Sequence, residues 1–143
     1  MDIKDFNHKI KIIVRFSDLD AMQHVNNSRY LTYLEEARIE YFNSLFKRGK
    51  NRMDFEAIIA RIEIDYLYPI VLGDDVAVFT RVSKIGNKSV DVEHIVAVKN
   101  DDGFITAATS LTKLVYYDYK TRMTKVIPEE ARKTIAKFEG IDN

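Results

Sequence analysis

Hydrophobic and polar positions along this chain follow two different rhythms, and the change from one to the other is its first legible feature. Ile10 to Arg15 reads as an opening strand. From Asn26 or Asn27 to about Lys47 the apolar residues Tyr30, Leu31, Leu34, Ala37, Tyr41, Phe42 and Leu45 recur at helical spacing. Such a stripe predicts one long helix with a broad buried face, stopped by Arg48, Gly49 and Lys50. Beyond it the period falls to two. In 61–68 the charged Arg61, Glu63 and Asp65 alternate with Ile62, Ile64 and Tyr66, and Val76, Val78, Thr80 and Val82 share a face. Val90, Val92, His94, Val96 and Val98 alternate with polar neighbours, and Ile105 to Tyr119 is small or apolar on both faces, as in a strand covered on both sides. Ile85 to Lys88 and Asn100 to Gly103 have hairpin-turn composition. Pro128 at a first helical position, followed by Glu129 and Glu130, predicts a short terminal helix to about Phe138. The order strand, long helix, four antiparallel strands, short helix predicts an α+β fold in which a curved five-stranded sheet wraps one central helix. Strands this long leave edges that a second subunit commonly covers.

Length and composition narrow the class. With 143 residues, 46% hydrophobic and 31% charged, the chain has the makings of one globular domain, 1–143, with no visible internal boundary. Its 22 basic and 22 acidic residues cancel, which argues against a nucleic-acid or anionic-membrane surface. The absence of cysteine excludes disulfides, thiolate nucleophiles and cysteine-ligated metals. His8, His24 and His94 are scattered and no His-Glu-x-x-His pair exists, so a metal centre is not expected. No phosphate-binding glycine loop, signal-peptide pattern or membrane-span run is apparent. The expected compartment is the cytoplasm.

Candidate chemistry concentrates between Val14 and Arg38, VRFSDLDAMQHVNNSRYLTYLEEAR. Two aspartates end a β-patterned stretch, and a polar turn leads into the helix. The first amides of a helix lack intrahelical partners and carry partial positive charge. A carboxylate brought beside them suits chemistry on a carbonyl that becomes an oxyanion. The same residue types also make turns and caps. Asp18 fits a local backbone role, and the side chains of Asn26 and Asn27 fit capping. His94, on an apolar strand face, reads as a hydrogen-bonded core or interface histidine, and Glu35 and Glu36 as an ion-pair partner of Arg38 or solvated side chains, with an inward or interface-facing acid as the alternative.

The run Asp20-Ala21-Met22-Gln23-His24-Val25-Asn26-Asn27 with Tyr30 resembles the signature Asp-x-x-Gly-His-Val-Asn-Asn-x-x-Tyr of the 4-hydroxybenzoyl-CoA thioesterase-like branch of the hotdog-fold acyl-CoA thioesterases. That resemblance implies a hotdog fold over nearly the whole chain and hydrolysis of an acyl or aroyl thioester, with no cofactor beyond the coenzyme A of the substrate. It implies Asp20 as general base or nucleophile, His24 as an orienting group and the Asn27 amide as oxyanion donor. Tyr30 would lie near the substrate. Coenzyme A would be held by Lys84, Lys88 and Ser89, and the active sites would form between subunits of a homodimer or homotetramer. The departure is Gln23, where the pattern has glycine; it narrows the site or adds an amide donor. Activation of water and direct attack by Asp20 to give a mixed anhydride remain open alternatives. So do acyl carrier protein as the thiol carrier and a non-catalytic acyl-binding module. A hotdog dehydratase fits less well, because its Phe-Pro-Gly-His motif is missing.

Overall fold

The switch in period translates directly into architecture. A computed structural model describes residues 1–46 and 56–142. Its elements in chain order are β1 (His8–Ile12), α1 (Asn27–Phe46), β2 (Ala57–Tyr66), β3 (Val76–Ile85), β4 (Ser89–Asn100), β5 (Gly103–Asp118), β6 (Met123–Thr124) and α2 (Glu129–Glu139). Five strands form one antiparallel sheet in the order β1-β3-β4-β5-β2, and the two-residue β6 pairs with β5. The curved sheet and long central helix are those of the hotdog fold expected from the sequence. Arg48 to Lys50, the expected helix stop, lie outside the described residues.

The core sits between α1 and one sheet face. Tyr30, Tyr33, Leu34, Ala37 and Tyr41 of α1 are buried against Val76 and Val78 of β3, Val92 and Val96 of β4, and Ala108 and Leu114 of β5. Fully burying one such aliphatic side chain contributes about 2 kcal/mol, so this interface, more than intrinsic propensity, holds the helix in place. One row across that face is polar. His8, Thr80, His94 and Ser110 stand opposite one another on β1, β3, β4 and β5. His94 is fully buried, with Nδ1 3.0 Å from Thr80 Oγ1, in agreement with a core histidine. Burial, with the positive charges of Arg38 and His8, pushes its pKa down to about 3.

Several expectations shift in detail. β1 begins and ends earlier than the Ile10–Arg15 stretch, because the Asp18 carboxylate captures the Arg15 N–H (3.0 Å) and bends the chain into a 3-10 turn over Phe16–Asp18. β2 ends at Tyr66, since the next two amides, of Leu67 and Tyr68, both donate to the Ala107 carbonyl. Pro128 stands one place before α2, as its N-cap. Glu35 and Glu36 are both exposed, in keeping with the solvated alternative, and Arg38 is the buried member of that group. β5 is closed on its helix-facing side and only half-covered on the other. On the outer sheet face Phe6, from the N-terminal segment, packs edge-on against Phe79, beside buried Ile95 and Ala97.

Candidate active site

Residues 18 to 26 fold into a small hairpin between β1 and α1. The Asn26 amide donates to the Asp18 carbonyl (2.8 Å), the Asp20 amide to the His24 carbonyl (2.8 Å) and the Gln23 amide to the Asp20 carbonyl (2.9 Å). Val25 N–H donates to the Ile70 carbonyl (2.8 Å), and His24 forms an isolated bridge with Val71, docking the hairpin on the segment after β2. Gln23 closes the tip with φ +62°. That left-handed conformation is the reason glycine suits the position, and Gln23 adopts it nonetheless.

Asp20 is exposed. Its Oδ1 accepts from the amides of Met22 (2.9 Å) and His24 (3.3 Å), and Oδ2 accepts no hydrogen bond from the described residues. The His24 ring is half-buried and likewise makes none. Both residues line a cleft of about 710 Å³ walled by Phe16, Leu19, Met22, Val71 and Leu72, with Gln23 at its edge. A carboxylate oxygen and an imidazole without partners among the described residues thus share one largely apolar depression.

The helix start lies next to this hairpin. Asn26 is the cap: its Oδ1 accepts from the Ser28 amide and hydroxyl, both at 3.0 Å. The Asn27 amide donates to nothing among the described residues, which leaves an unpaired N–H at the positive end of α1. The Asn27 carbonyl accepts from the Tyr66 hydroxyl at 3.1 Å.

The structure brings Asp20 and His24 to one cleft; Asn27 is adjacent in the chain but does not line it. Tyr30 is in the core, edge-on to Tyr66 at 5.0 Å. Lys84, Lys88 and Ser89 lie at the β3–β4 turn. The hairpin docks beside Ile70 and Val71, near the start of β3, and the nine residues from Val76 to Lys84 span about 26 Å of strand. Within one chain these three residues are therefore at the far end of the sheet from Asp20. Lys84 borders an outer-face depression shared with Glu63, Asp65, Asp91 and Glu93.

Asp18, expected to be a local turn residue, is fully buried. Its Oδ2 accepts from the Tyr33 hydroxyl at 2.7 Å and from the Arg15 amide. Oδ1 lies 3.6 Å from Arg15 Nη2 and 3.9 Å from Arg29 Nε. Burial acts to raise its pKa, but the Arg15 amide, the Tyr33 hydroxyl and the two guanidinium groups together hold it below the ordinary carboxylate value. The Tyr33 hydroxyl is pushed up, by burial first and then by Asp18. Tyr33 stands 15 residues from Asp18, a separation with no local periodicity to betray the contact. The strand-like residues Val71 and Leu72, which supply a cleft wall, likewise carry no motif. Among the described residues no cluster of three or more His, Asp or Glu side chains is arranged to hold a metal.

A curved antiparallel sheet around one long helix is the hotdog arrangement, and here a hairpin carrying an aspartate and a histidine precedes the helix. The chain belongs to the Thioesterase-like superfamily, whose model matches residues 14–135. It is 29% identical over 126 residues to the long-chain acyl-CoA thioesterase FadM of Escherichia coli, covering 87% of this chain and 94% of FadM. Among solved structures it is similar to a thioesterase from Thermus thermophilus complexed with coenzyme A and Zn, with 35% identity, a TM-score of 0.85 and coverage of 98% and 99% of the two chains. The probable thioesterase YbaW of Escherichia coli gives 27% identity, a TM-score of 0.74 and coverage of 91% and 97%.

Proposed function

We propose that the chain hydrolyses acyl-CoA thioesters with an apolar acyl group, using Asp20 as general base or nucleophile. The observation that carries this reading is the cleft holding the unpaired Asp20 Oδ2 and the His24 ring between apolar walls. Phe16, Met22, Val71 and Leu72 suit an acyl chain, and a free carboxylate oxygen suits attack at its carbonyl. In the water route Asp20 takes a proton from water as its oxygen bonds to the carbonyl carbon. In the anhydride route Oδ2 attacks that carbon itself and water later cleaves the anhydride. Either way the C–S bond breaks and the thiol leaves as thiolate, a good leaving group that needs no strong general acid. The Asn27 amide, at the positive end of α1, is the proposed donor to the oxyanion. His24 orients the water or the carboxylate. Tyr30 acts from the core by supporting Tyr66, which bonds the Asn27 carbonyl.

The reading includes a second copy of the chain, as homodimer or homotetramer. Among the described residues β2 is an edge strand that pairs only with β5, and it exposes Ile58 and Ile59, with Leu67 and Tyr68 following. A long edge strand with unpaired backbone groups is a template for another strand. Lys84, Lys88 and Ser89 would reach coenzyme A at this cleft only from that second copy. Reading the carrier as coenzyme A rather than acyl carrier protein rests on the relatives, FadM among them.

Thiol release from a panel of short, long and aromatic acyl-CoA substrates tests the proposal. Asp20→Asn is expected to lower kcat/KM by at least about a hundredfold with folding intact, and His24→Ala by less. Wild-type turnover in Asp20→Asn removes Asp20 from the chemistry. No thiol release by the wild-type protein from any member of the panel, or from an acyl carrier protein thioester, favours the non-catalytic module.

A further inference from the structure

The buried Asp18 is not accounted for by turn-making. A turn aspartate ordinarily binds its own next amides and stays in water, as Asp20 does. Asp18 instead carries its charge into the interior, where a carboxylate is costly unless it is paired and hydrogen-bonded. Oδ2 takes both of its hydrogen bonds, and Oδ1, which accepts none, faces the two guanidinium groups at 3.6 and 3.9 Å. The charge is answered from three places. Arg15 holds it with its amide and its guanidinium from the segment before the hairpin, Arg29 from the first turn of α1 and Tyr33 from the second. The Asp18 carbonyl meanwhile closes the hairpin by accepting from the Asn26 amide. Leu19, the single residue between the two aspartates, is pinned to Val25 by a bridge. The path from the body of α1 to the Asp20 carboxylate therefore runs through one side chain and two short backbone links.

We propose that Asp18 is a positioning residue for the hydrolysis. By tying the hairpin to the first two turns of α1, it sets where the Asp20 carboxylate stands relative to the free amide at the helix start. The inference rests on the reading of Asp20 given above, since a positioner requires something to position. Its chemical sense is that attack on a carbonyl tolerates little displacement: about 1 Å between reacting groups costs on the order of a hundredfold in rate. Without Asp18 the hairpin keeps its own turn bonds and its backbone contacts with Ile70 and Val71, which tie it to the segment after β2 and leave its distance from the helix start free to vary. A charge-assisted anchor on a helix gripped by the core fixes that distance.

The test is steady-state kinetics on an acyl-CoA that the wild-type protein hydrolyses, well below the unfolding midpoint of each variant. Asp18→Asn preserves shape but opposes a new amide donor to Arg15 and Arg29. It is expected to lower kcat by about tenfold to a hundredfold with KM changed by less than about threefold. Tyr33→Phe, which removes one hydrogen bond and leaves the carboxylate with its arginines, is expected to shift kcat the same way by less. In the Asp20→Asn background, Asp18→Asn should remove less than about twofold more, because the group it positions is gone. Wild-type kcat in Asp18→Asn alongside a strongly impaired Asp20→Asn overturns the positioning role alone; wild-type kcat in Asp20→Asn overturns the reading beneath it. Raised KM at unchanged kcat assigns Asp18 to substrate binding and also overturns the proposal. Should Asp18→Asn fail to fold, Tyr33→Phe decides: unchanged kcat there counts against the proposal, lowered kcat at constant KM supports it.

Discussion

Gln23 has φ +62° at the hairpin tip, a conformation that costs a residue bearing Cβ about 1 kcal/mol relative to glycine. Gln23→Gly is expected to stabilise the fold by about 0.5–1 kcal/mol, read from urea midpoints at unchanged m-value. The part recovered falls below the full strain because glycine also loosens the unfolded chain. Turnover of the same variant reports on the side chain. If the Gln23 amide contributes to the cleft it lines, the stabler protein will be the slower one. Asp18 and Asp20 show the same separation of roles at two residues' distance. The sequence places both at a turn; burial under Tyr33 suits one to the proposed anchoring role, and exposure in the cleft suits the other to the proposed chemistry.

At the scale of elements, the long helix and the strands were legible because each buries one face, and a buried face must repeat with the period of its element. The elements that escaped, or moved, are those set by something other than periodicity. β6 is two residues long, too short to repeat. The end of β1 is fixed by a side chain that reaches back to Arg15, and the end of β2 by two amides sharing one carbonyl. The polar row across β1, β3, β4 and β5 makes a pH prediction. His94 is neutral in the folded state down to about pH 3, disfavoured from protonation by burial, by Arg38 and by His8. In the unfolded chain it takes its proton near pH 6.5. Between those values the unfolded state binds more protons, so stability falls as pH drops from 6.5 and is untouched above it. His94→Asn keeps an acceptor for Thr80 and removes the titration. Its unfolding free energy is expected to vary less with pH than the wild type's, the difference growing to about 3 kcal/mol by pH 4. Parallel curves for the two proteins would contradict this.

For the whole molecule, the proposed second copy would account for the open edge of β2 and the exposure of Asp20 together. A single chain leaves its candidate site shallow and its basic residues at the β3–β4 turn at the other end of the sheet. A two-fold partner along β2, running antiparallel, would bring that far end toward the cleft. Ile59, 46% exposed on the edge strand, contributes little to the core of its own chain, so Ile59→Lys is expected to leave the monomer folded. Light scattering should then show the mass falling from that of an oligomer to that of one chain, with thioesterase activity lost in parallel; an unchanged oligomer would place the interface elsewhere. No described helix is long and apolar enough to cross a membrane.

The chain by itself determined the class of fold, the order of its elements and the hairpin that carries Asp20 and His24, because these follow from local periodicity and from a contiguous motif. Only the tertiary structure decided that Asp18 is buried under Tyr33, that Val71 and Leu72 wall the cleft, and that Lys84, Lys88 and Ser89 stand far from it. Each of those depends on which distant segments meet when the helix closes on the sheet. Side chains that meet across folded elements have no fixed spacing along the chain, so packing assigns their roles.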